Sequence, residues 1–413
     1  MPFAISLDIG NVLSRIAHNN GTGASLVLGG PAQEGTRVVD FGIFYEIQVD
    51  SPLKHREREY EVFHQVLEQV PYAEKNGFTY FWSVEHHYQP GFAHSSAPEV
   101  LYGALSQITK TIRIGHAVVL LPYPYNHPVR IAERVATLDI LSKGRVELGM
   151  GRSATVQELG GFGIPPEETR PRFDEALEIL LKIWTSADGT FEHHGRNFDI
   201  PQRTVVPMPI QKPHPPLWMP STDAAIPGRL GIGYLGLVVA TPPDEVAKRL
   251  DVYDEAAKHP EPVGPVINNK KAVFYMAHCA DTNAQARSNA ERSFLSYVSI
   301  AGQNAARLKV ATAGVVDAPA RPGFGVDPLA KSVDTSMFTM DWMIENRTVI
   351  CGDPDTVIRQ IEDILKVVHV DQLMLMKQFW AMTHEQTMRS IELFGQHVIP
   401  HFAKQGVKLV ANI

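Results

Sequence analysis

Residues 112–151 read IRIGHAVVLLPYPYNHPVRIAERVATLDILSKGRVELGMG, and this stretch decides the fold class. It opens with a nearly continuous apolar run, 112–121, and closes with a second one, 145–151. Between them lies an amphipathic stretch, 128–141, with the spacing of a helix. Apolar runs without alternation are typical of strands that are buried on both faces of a parallel sheet. The stretch therefore predicts a βαβ unit.

The same pattern recurs on both sides of this unit. Apolar runs that predict strands lie at 38–45, 78–84, 112–121, 145–151, 216–220, 234–240, 272–280 and 372–376. Amphipathic stretches that predict helices lie at 60–75, 97–108, 128–141, 167–185, 223–230, 244–258, 282–300, 354–368 and 384–404. A closed barrel or a doubly wound open sheet would both fit this order. Eight units over about 370 residues, with no glycine fingerprint after the first strand, favour an α/β fold of the (β/α)8 TIM-barrel type.

Three segments do not follow this alternation of predicted strands and helices. Residues 1–37 are rich in Gly and Asn and lack periodicity, which predicts an N-terminal extension outside the core that forms a flexible arm. A proline-rich tract at 201–216 interrupts the alternation, and residues 301–345 predict an irregular insertion. We expect residues 38–413 to form a single barrel domain.

Composition excludes several classes of protein. The 413 residues carry 38 basic and 45 acidic side chains, a net charge of −7, which offers no basic field for nucleic acid or for an anionic membrane. No run reaches the roughly 18 apolar residues that span a bilayer. The two cysteines, Cys279 and Cys351, are too few for a disulfide scaffold, so we expect a protein of the reducing cytoplasm.

Motifs follow the predicted strands, at the barrel end where such enzymes place their chemistry. They are W-x-x-E-H-H at 82–87, L-P at 121–122, H-P-V-R at 127–130, L-D-x-L-S-x-G-R at 138–145 and G-x-G-R at 149–152. This succession resembles the luciferase-like monooxygenases, densely over 78–175 and more thinly beyond. The resemblance implies a luciferase-like TIM barrel that uses a flavin.

The resemblance assigns catalysis to His86, the first histidine of the E-H-H segment. Its imidazole titrates near neutrality and can accept and return a proton. The alternative is a histidine that only satisfies hydrogen bonds at a strand end, which is how we interpret His87. Adjacent side chains on a strand point to opposite faces, so the two rings cannot easily share an ion, and we expect no metal site.

Phosphate recognition is implied at the same barrel end. Arg152 matches the phosphate arginine of the family, and the amides of Ser153 and Ala154 could complete the loop. Arg170, at the start of a helix, matches a second phosphate arginine. For both arginines, an ordinary surface salt bridge is the alternative interpretation.

Two further features of the cofactor site come from the resemblance. Ser221 and Thr222 lie where the family offers hydroxyls to the phosphate, although both residue types are also common helix N-caps. The family carries a non-prolyl cis peptide beneath the flavin ring, and the matching bond is Ala117–Val118. Gly151 stands where the light-emitting luciferase subunit has a reactive cysteine, so thiol chemistry is not implied.

Four aromatic side chains near the predicted barrel mouth indicate an apolar substrate pocket; they are Phe44, Tyr45, Trp82 and Phe92. Ordinary core packing is the alternative for these residues.

The favoured function is that of a two-component monooxygenase. Reduced FMN would arrive as a cosubstrate from a separate NAD(P)H-dependent flavin reductase, since the chain shows no nicotinamide fingerprint, and O2 would oxygenate a small organic substrate. The family implies a homodimer. A deazaflavin-dependent oxidoreductase on the same barrel and a non-catalytic flavin-binding protein are the alternatives. All of this requires His86 and Arg152 to converge on one flavin.

Overall fold

The structure is a computed structural model, and it describes residues 26–28, 39–50, 56–153, 155–311, 313 and 334–405. The strands in this part of the chain are β1 Leu26–Leu28, β2 Asp40–Tyr45, β3 Tyr80–Ser83, β4 Arg113–Leu120, β5 Val146–Gly151, β6 Thr190–His194, β7 Asp199–Thr204, β8 Leu217–Met219, β9 Gly233–Gly236, β10 Val266–Asn268, β11 Lys271–Cys279, β12 Val349–Gly352 and β13 Gln372–Met376.

Helices alternate with these strands. They are α1 Glu57–Lys75, α2 Pro98–Ile108, α3 Pro128–Leu141, α4 Val156–Gly161, α5 Thr169–Thr185, α6 Ala225–Arg229, α7 Pro243–Ala257, α8 Asn283–Ala311, α9 Met340–Glu345, α10 Pro354–Leu365, α11 His384–Leu393 and α12 Ile399–Gln405. A 3-10 turn at Pro166–Glu168 precedes α5, and a π-helical turn at Phe394–Val398 joins α11 to α12.

Eight of the described strands close into a parallel barrel. Their order is β2, β3, β4, β5, β8, β9, β11 and β13, and β13 pairs with β2 to complete the ring. The ninth strand of this sheet, β12, pairs in parallel with the C-terminal half of β11. The eight barrel strands are the eight that the apolar runs predict, so the predicted (β/α)8 barrel is confirmed.

Side chains alternate between two apolar layers. Ile43 and Phe81 belong to the layer between barrel and helices, whereas Trp82 and Trp218 fill the barrel interior. Their rings meet edge to face with centroids 5.6 Å apart. A Cβ atom at Gly115 would lie 2.1 Å from the Trp82 ring, so β4 can pass this indole only with glycine there.

Several elements differ from the predicted ones. The polar β6–β7 hairpin was not expected, because its strands lack an apolar alternation. Residues 301–311 continue α8 and 340–345 form α9, so the predicted irregular insertion is wrong at both ends. Residues 312 and 314–333 lie outside the described part of the chain. Within the predicted N-terminal extension, β1 pairs in parallel with β10, and the rest of 1–37 is not described.

In the described part of the chain, none of the helices combines the length and the apolar character that crossing a bilayer requires.

Candidate active site

The predicted motif residues lie at one end of the barrel. Strands β3, β4 and β5 are neighbours and run in parallel, so their carboxyl ends meet at one rim. His86 follows β3, and Arg152 follows β5 directly. This is the rim at which TIM-barrel enzymes carry their active sites.

Glu158 of α4 connects the segments that follow β3 and β5. Its carboxylate is fully buried and accepts from the His86 ring nitrogen Nδ1 at 2.7 Å and from the backbone N–H of His87 at 3.0 Å. The hydroxyls of Ser153 and Thr155 donate to its second oxygen, each at 2.8 Å. One buried carboxylate therefore joins the predicted catalytic histidine to the loop of the predicted phosphate arginine.

The interactions of Glu158 keep it ionised. Burial by itself would raise the pKa of this carboxyl group, but the charge of His86 and the hydrogen bonds from His86, Ser153 and His87 lower the pKa to about 2. An ionised acceptor at 2.7 Å requires a proton on Nδ1 of His86. The imidazole is thereby fixed in orientation, with Nε2 on the opposite side of the ring.

That second nitrogen faces another carboxylate. Glu46 directly follows β2, and its Oε2 lies 3.8 Å from His86 Nε2. The other oxygen of Glu46 accepts from the Tyr297 hydroxyl of α8 at 2.8 Å. Phe92 packs edge to face on the imidazole with centroids 5.6 Å apart, so the ring lies between two carboxylates and an aromatic wall.

Glu85 and His87 have a positioning role. Glu85 accepts from the backbone N–H of Leu120 and from the side-chain amide of Asn126, both at 2.8 Å, which ties the segment after β3 to the end of β4. His87 Nε2 lies 3.1 Å from Glu85, and its ring packs on Tyr125. These contacts agree with the packing and hydrogen-bonding interpretation of His87.

The residues that are predicted to bind phosphate include side chains with partners in the protein itself. Ser153 has a left-handed backbone with φ of 85°, and its neighbour Ala154 lies outside the described residues. Arg170 donates from Nε to Asp174 at 2.9 Å, the salt bridge that was the alternative for this arginine. Its side chain and that of Arg152 have further interactions. The phosphate-binding roles of Arg152, Ser153, Ala154 and Arg170 stay predictions.

Ser221 and Thr222 follow β8 at the same rim. The Ser221 hydroxyl donates to the backbone carbonyl of Asp223 at 2.7 Å, and Thr222 is exposed. Neither caps the helix that follows, because the N-cap position of α6 is Ala224. The N-cap alternative is therefore wrong, and a role in phosphate binding is untested.

The Ala117–Val118 peptide bond is cis, which confirms that expectation. It lies in β4, between the strands that carry His86 and Arg152. A Cβ atom at Gly151 would lie 2.3 Å from Val118 Cγ2, so the valine side chain occupies the space that a larger residue at 151 would need.

The predicted aromatic pocket is only partly correct. Phe44 packs on Phe274 with centroids 5.1 Å apart, and Phe92 stacks on Tyr297 at 5.2 Å, which forms an aromatic cluster beside His86. Tyr45 instead faces the helices, where it packs on Phe81 at 5.6 Å, because neighbouring residues of a strand point to opposite faces.

Trp82 belongs to the barrel core rather than to the mouth. Its ring is fully buried, it stacks on Tyr80 at 6.0 Å, and its indole N–H donates to Gln372 at 2.8 Å. The core-packing alternative is therefore the correct one for Trp82.

Sequence reasoning missed Glu46, Glu158 and Tyr297. Glu46 could have been found, because it is the first residue after a predicted strand, at the end where barrel enzymes place functional groups. Thr155 and Glu158 have the T-x-x-E spacing of a capping box, and the Thr155 hydroxyl indeed accepts from the Glu158 N–H at 3.3 Å. That spacing predicts a helix start and gives no sign of the contact with His86.

Comparison with known proteins decides the family. The model of the luciferase-like monooxygenase family matches residues 39–371. The chain belongs to the luciferase-like monooxygenases. Limonene 1,2-monooxygenase of Rhodococcus erythropolis is 27% identical to it over 82% of this chain and 81% of that protein.

Other relatives align over shorter stretches. The chain spans about half the length of an uncharacterised protein of Sinorhizobium fredii, with 34% identity over 43% of this chain and 49% of that protein. The oxygenase component of the flavin-dependent trigonelline monooxygenase of Acinetobacter baylyi is 28% identical over 40% of this chain and 44% of that protein.

Solved structures share the fold. The monooxygenase RslO1 of Streptomyces bottropensis has a TM-score of 0.68 and 25% identity, covering 88% of this chain and all of that one. The coenzyme F420-dependent tetrahydromethanopterin reductase of Methanopyrus kandleri has a TM-score of 0.56 and 20% identity, covering 88% of this chain and 99% of that one. The same fold therefore occurs in a protein that is described as F420-dependent.

Proposed function

We propose that the protein is a monooxygenase that takes reduced FMN as a cosubstrate and uses O2 to oxygenate a small organic substrate. The observation that carries this proposal is the pair of contacts made by Glu158, one to His86 Nδ1 at 2.7 Å and one to Ser153 Oγ at 2.8 Å. They bring the catalytic candidate and the phosphate-loop candidates to one place on the rim. One cofactor can then reach both.

The side chains present suit a flavin mononucleotide. Arg152 and Arg170 bring guanidinium groups, which pair well with phosphate, and the backbone amides of Ser153 and Ala154 would complete the phosphate loop. Ala117, which is buried, and Val118, which is half-buried, supply an apolar surface of β4 between Arg152 and His86. Ser221 and Thr222 would add hydroxyls from the end of β8.

Reduced flavin, when bound, supplies the electrons that activate O2. The chain itself supplies proton transfer, orientation and exclusion of water. His86 presents Nε2 as the nitrogen that exchanges protons with the reacting group, since Glu158 holds Nδ1. The aromatic cluster of Phe44, Phe92 and Tyr297 shields this position, which favours an apolar substrate.

A separate NAD(P)H-dependent reductase would supply the reduced flavin. The relative from Acinetobacter baylyi is described as an oxygenase component, which supports a two-component system. Homodimer formation and a cytoplasmic location stay predictions.

Cofactor use separates the proposed function from its alternatives. With FMN, NADH, a flavin reductase and O2, the purified protein should form an oxygenated product from a terpene or aromatic substrate of a small panel. His86→Asn should lower substrate-dependent turnover by about 100-fold or more while FMN still binds. Arg152→Ala should weaken FMN binding by roughly tenfold or more, because it removes a charged phosphate partner.

The surface variant Arg130→Ala is the control and should change neither quantity. Turnover with reduced deazaflavin under anaerobic conditions would instead establish the hydride-transfer alternative. Stoichiometric FMN binding with no turnover of any substrate would indicate a non-catalytic flavin-binding protein.

A further inference from the structure

The second ring nitrogen of His86, Nε2, faces a buried carboxylate of its own. Nε2 lies 3.8 Å from the Glu46 carboxylate, and the Glu46 side chain is only 3% exposed. Tyr297 from α8 donates its hydroxyl to the other oxygen of Glu46 at 2.8 Å, which fixes the direction of the carboxylate. Glu46, His86 and Glu158 thus form a row in which a carboxylate lies at each nitrogen of the ring.

The protonation of the row follows from the donors and acceptors. Nδ1 donates to Glu158, so a neutral imidazole would turn the lone pair of Nε2 toward the Glu46 carboxylate. Two electron-rich groups would then face each other in a buried place, which is unfavourable. A ring that is protonated at both nitrogens instead offers an N–H to each carboxylate.

We propose that Glu46 keeps a proton on Nε2 of His86, so that the histidine enters the reaction as a proton donor rather than as a base. This inference rests on the proposed function and assigns Glu46 as a positioning residue of that site. Tyr297 supports it by orienting the carboxylate.

The resulting step is a simple proton transfer. Nε2 gives its proton to an oxygen atom of the reacting partner, and the bonding pair of the N–H bond stays on the ring as a lone pair. The neutral ring then faces Glu46, which favours return of a proton from solvent to Nε2 and resets the site. Glu158 keeps Nδ1 protonated throughout, because its pKa of about 2 lies far below neutrality.

Among the described residues, Glu158 of α4 and Glu46 after β2 face the two nitrogens of this ring, and Phe92 contributes an apolar face. The titratable hydroxyl of Tyr297 on α8 contacts Glu46 rather than the ring, and both His86 and Glu46 have further interactions. Glu85 and His87 pair with each other instead. Glu46 is therefore the residue whose neutralisation tests the state of Nε2.

Nitrogen NMR of flavin-free protein labelled with 15N-histidine measures this state directly. The chain has 17 histidines, and a His86→Asn variant identifies the signals of His86 by their loss. In the wild type, both ring nitrogens should report as protonated near neutral pH. In Glu46→Gln, Nε2 should lose its proton at lower pH, while Nδ1 stays protonated.

Glu46→Asp serves as a second variant in case the glutamine variant does not fold. It keeps the charge but withdraws the carboxylate by one methylene. The pH at which Nε2 loses its proton should therefore fall in this variant too, but by less than in Glu46→Gln. Glu59→Gln is the matched control, because Glu59 pairs with His94 at 3.1 Å on a side chain that is 43% exposed. It should leave the His86 signals and turnover unchanged.

Turnover gives an independent measurement. Glu46→Gln should lower kcat by roughly 10- to 100-fold with FMN binding unchanged, and the alkaline limb of the pH profile should move to lower pH. Nε2 signals that titrate alike in the wild type and in both Glu46 variants would overturn the proposal. A wild type with no flavin-dependent turnover would contradict the proposed function alone, since the NMR measurement needs no cofactor.

Discussion

At the residue scale, the chemistry of the site depends on the burial of Glu158. Four donors among the described residues surround this carboxylate, and they come from the segments after β3 and β5. A charge buried without such partners would be very unfavourable, so the carboxylate and its donors require each other. This mutual requirement orients His86 before any ligand arrives.

The first prediction concerns the pH dependence of stability at this residue. The pKa of Glu158 is lowered from 4.5 to about 2, so the folded state is favoured above pH 4.5 and loses this contribution as pH falls toward 2. Glu158→Gln should be less stable than the wild type by about 3 kcal/mol at pH 7, and the difference should shrink at pH 3.

Urea denaturation at both pH values measures this difference. Glu245→Gln, at a side chain that is 56% exposed, provides the control and should match the wild type within about 0.5 kcal/mol. A difference for Glu158→Gln that stays constant from pH 7 to pH 3 would contradict the assigned ionisation.

At the element scale, close packing of strands explains particular glycines. On β5, a Cβ atom at Gly149 would lie 2.1 Å from the backbone carbonyl oxygen of His116 on β4. On α2, a Cβ atom at Gly103 would meet nothing within 4 Å. The same substitution therefore has opposite consequences in a barrel strand and in a helix.

The second prediction uses this pair. Gly149→Ala should destabilise the fold by about 2 kcal/mol or more, because the backbone of β4 or β5 must move. Gly103→Ala should stabilise it by about 1 kcal/mol, since alanine favours the helix. Thermal melts of the two variants measure both effects, and a neutral Gly149→Ala would show that the strands are less tightly packed than described.

The third prediction concerns the β6–β7 hairpin, which depends on Glu175 of α5. This carboxylate accepts from His193 Nε2 at 3.1 Å and from the backbone N–H groups of Asn197 and Phe198, both at 3.0 Å. Glu175→Ala should increase hydrogen exchange at residues 190–204 and leave the barrel strands protected, because the hydrogen bonds that the described residues donate to this carboxylate all come from the hairpin. Glu192→Ala, an exposed position on β6, should leave exchange unchanged.

At the scale of the whole molecule, buried histidines make the fold sensitive to acid. Burial lowers the pKa of His116 and of His214 from 6.5 to about 4, and that of His278 to about 3. The unfolded chain binds protons at these residues below pH 6.5, and the folded chain does not. Stability is therefore full above about pH 6.5 and declines as pH falls toward 4.

The fourth prediction follows from this difference in proton binding. Each of the three histidines should lower the free energy of unfolding by about 1 kcal/mol at pH 6 and by about 2 kcal/mol at pH 5, relative to pH 7.5. Urea midpoints at the three pH values measure the decline. His214→Gln should make the decline shallower by about a third, and an unchanged slope would show that this histidine is protonated in the folded state.

The sequence by itself determined the barrel and the rim that carries the site. A strand that is buried on both faces needs a mostly apolar run of residues. Because this requirement is local, each of the eight barrel strands could be predicted from the sequence. Because functional groups follow such strands and the motifs there resemble those of a known family, His86 and Arg152 could be proposed as site residues from the sequence. The polar β6–β7 hairpin has no comparable local pattern.

Only the tertiary structure decided which groups meet. Glu158 is 72 residues from His86, and Tyr297 is 251 residues from Glu46, so no periodicity links either pair. The face of the barrel sheet to which the Tyr45 side chain points could not be predicted for a related reason. An apolar run does not show which of its residues face the barrel interior and which face the helices. Contacts of this kind depend on how the strands close into a ring, and that closure is a property of the whole chain.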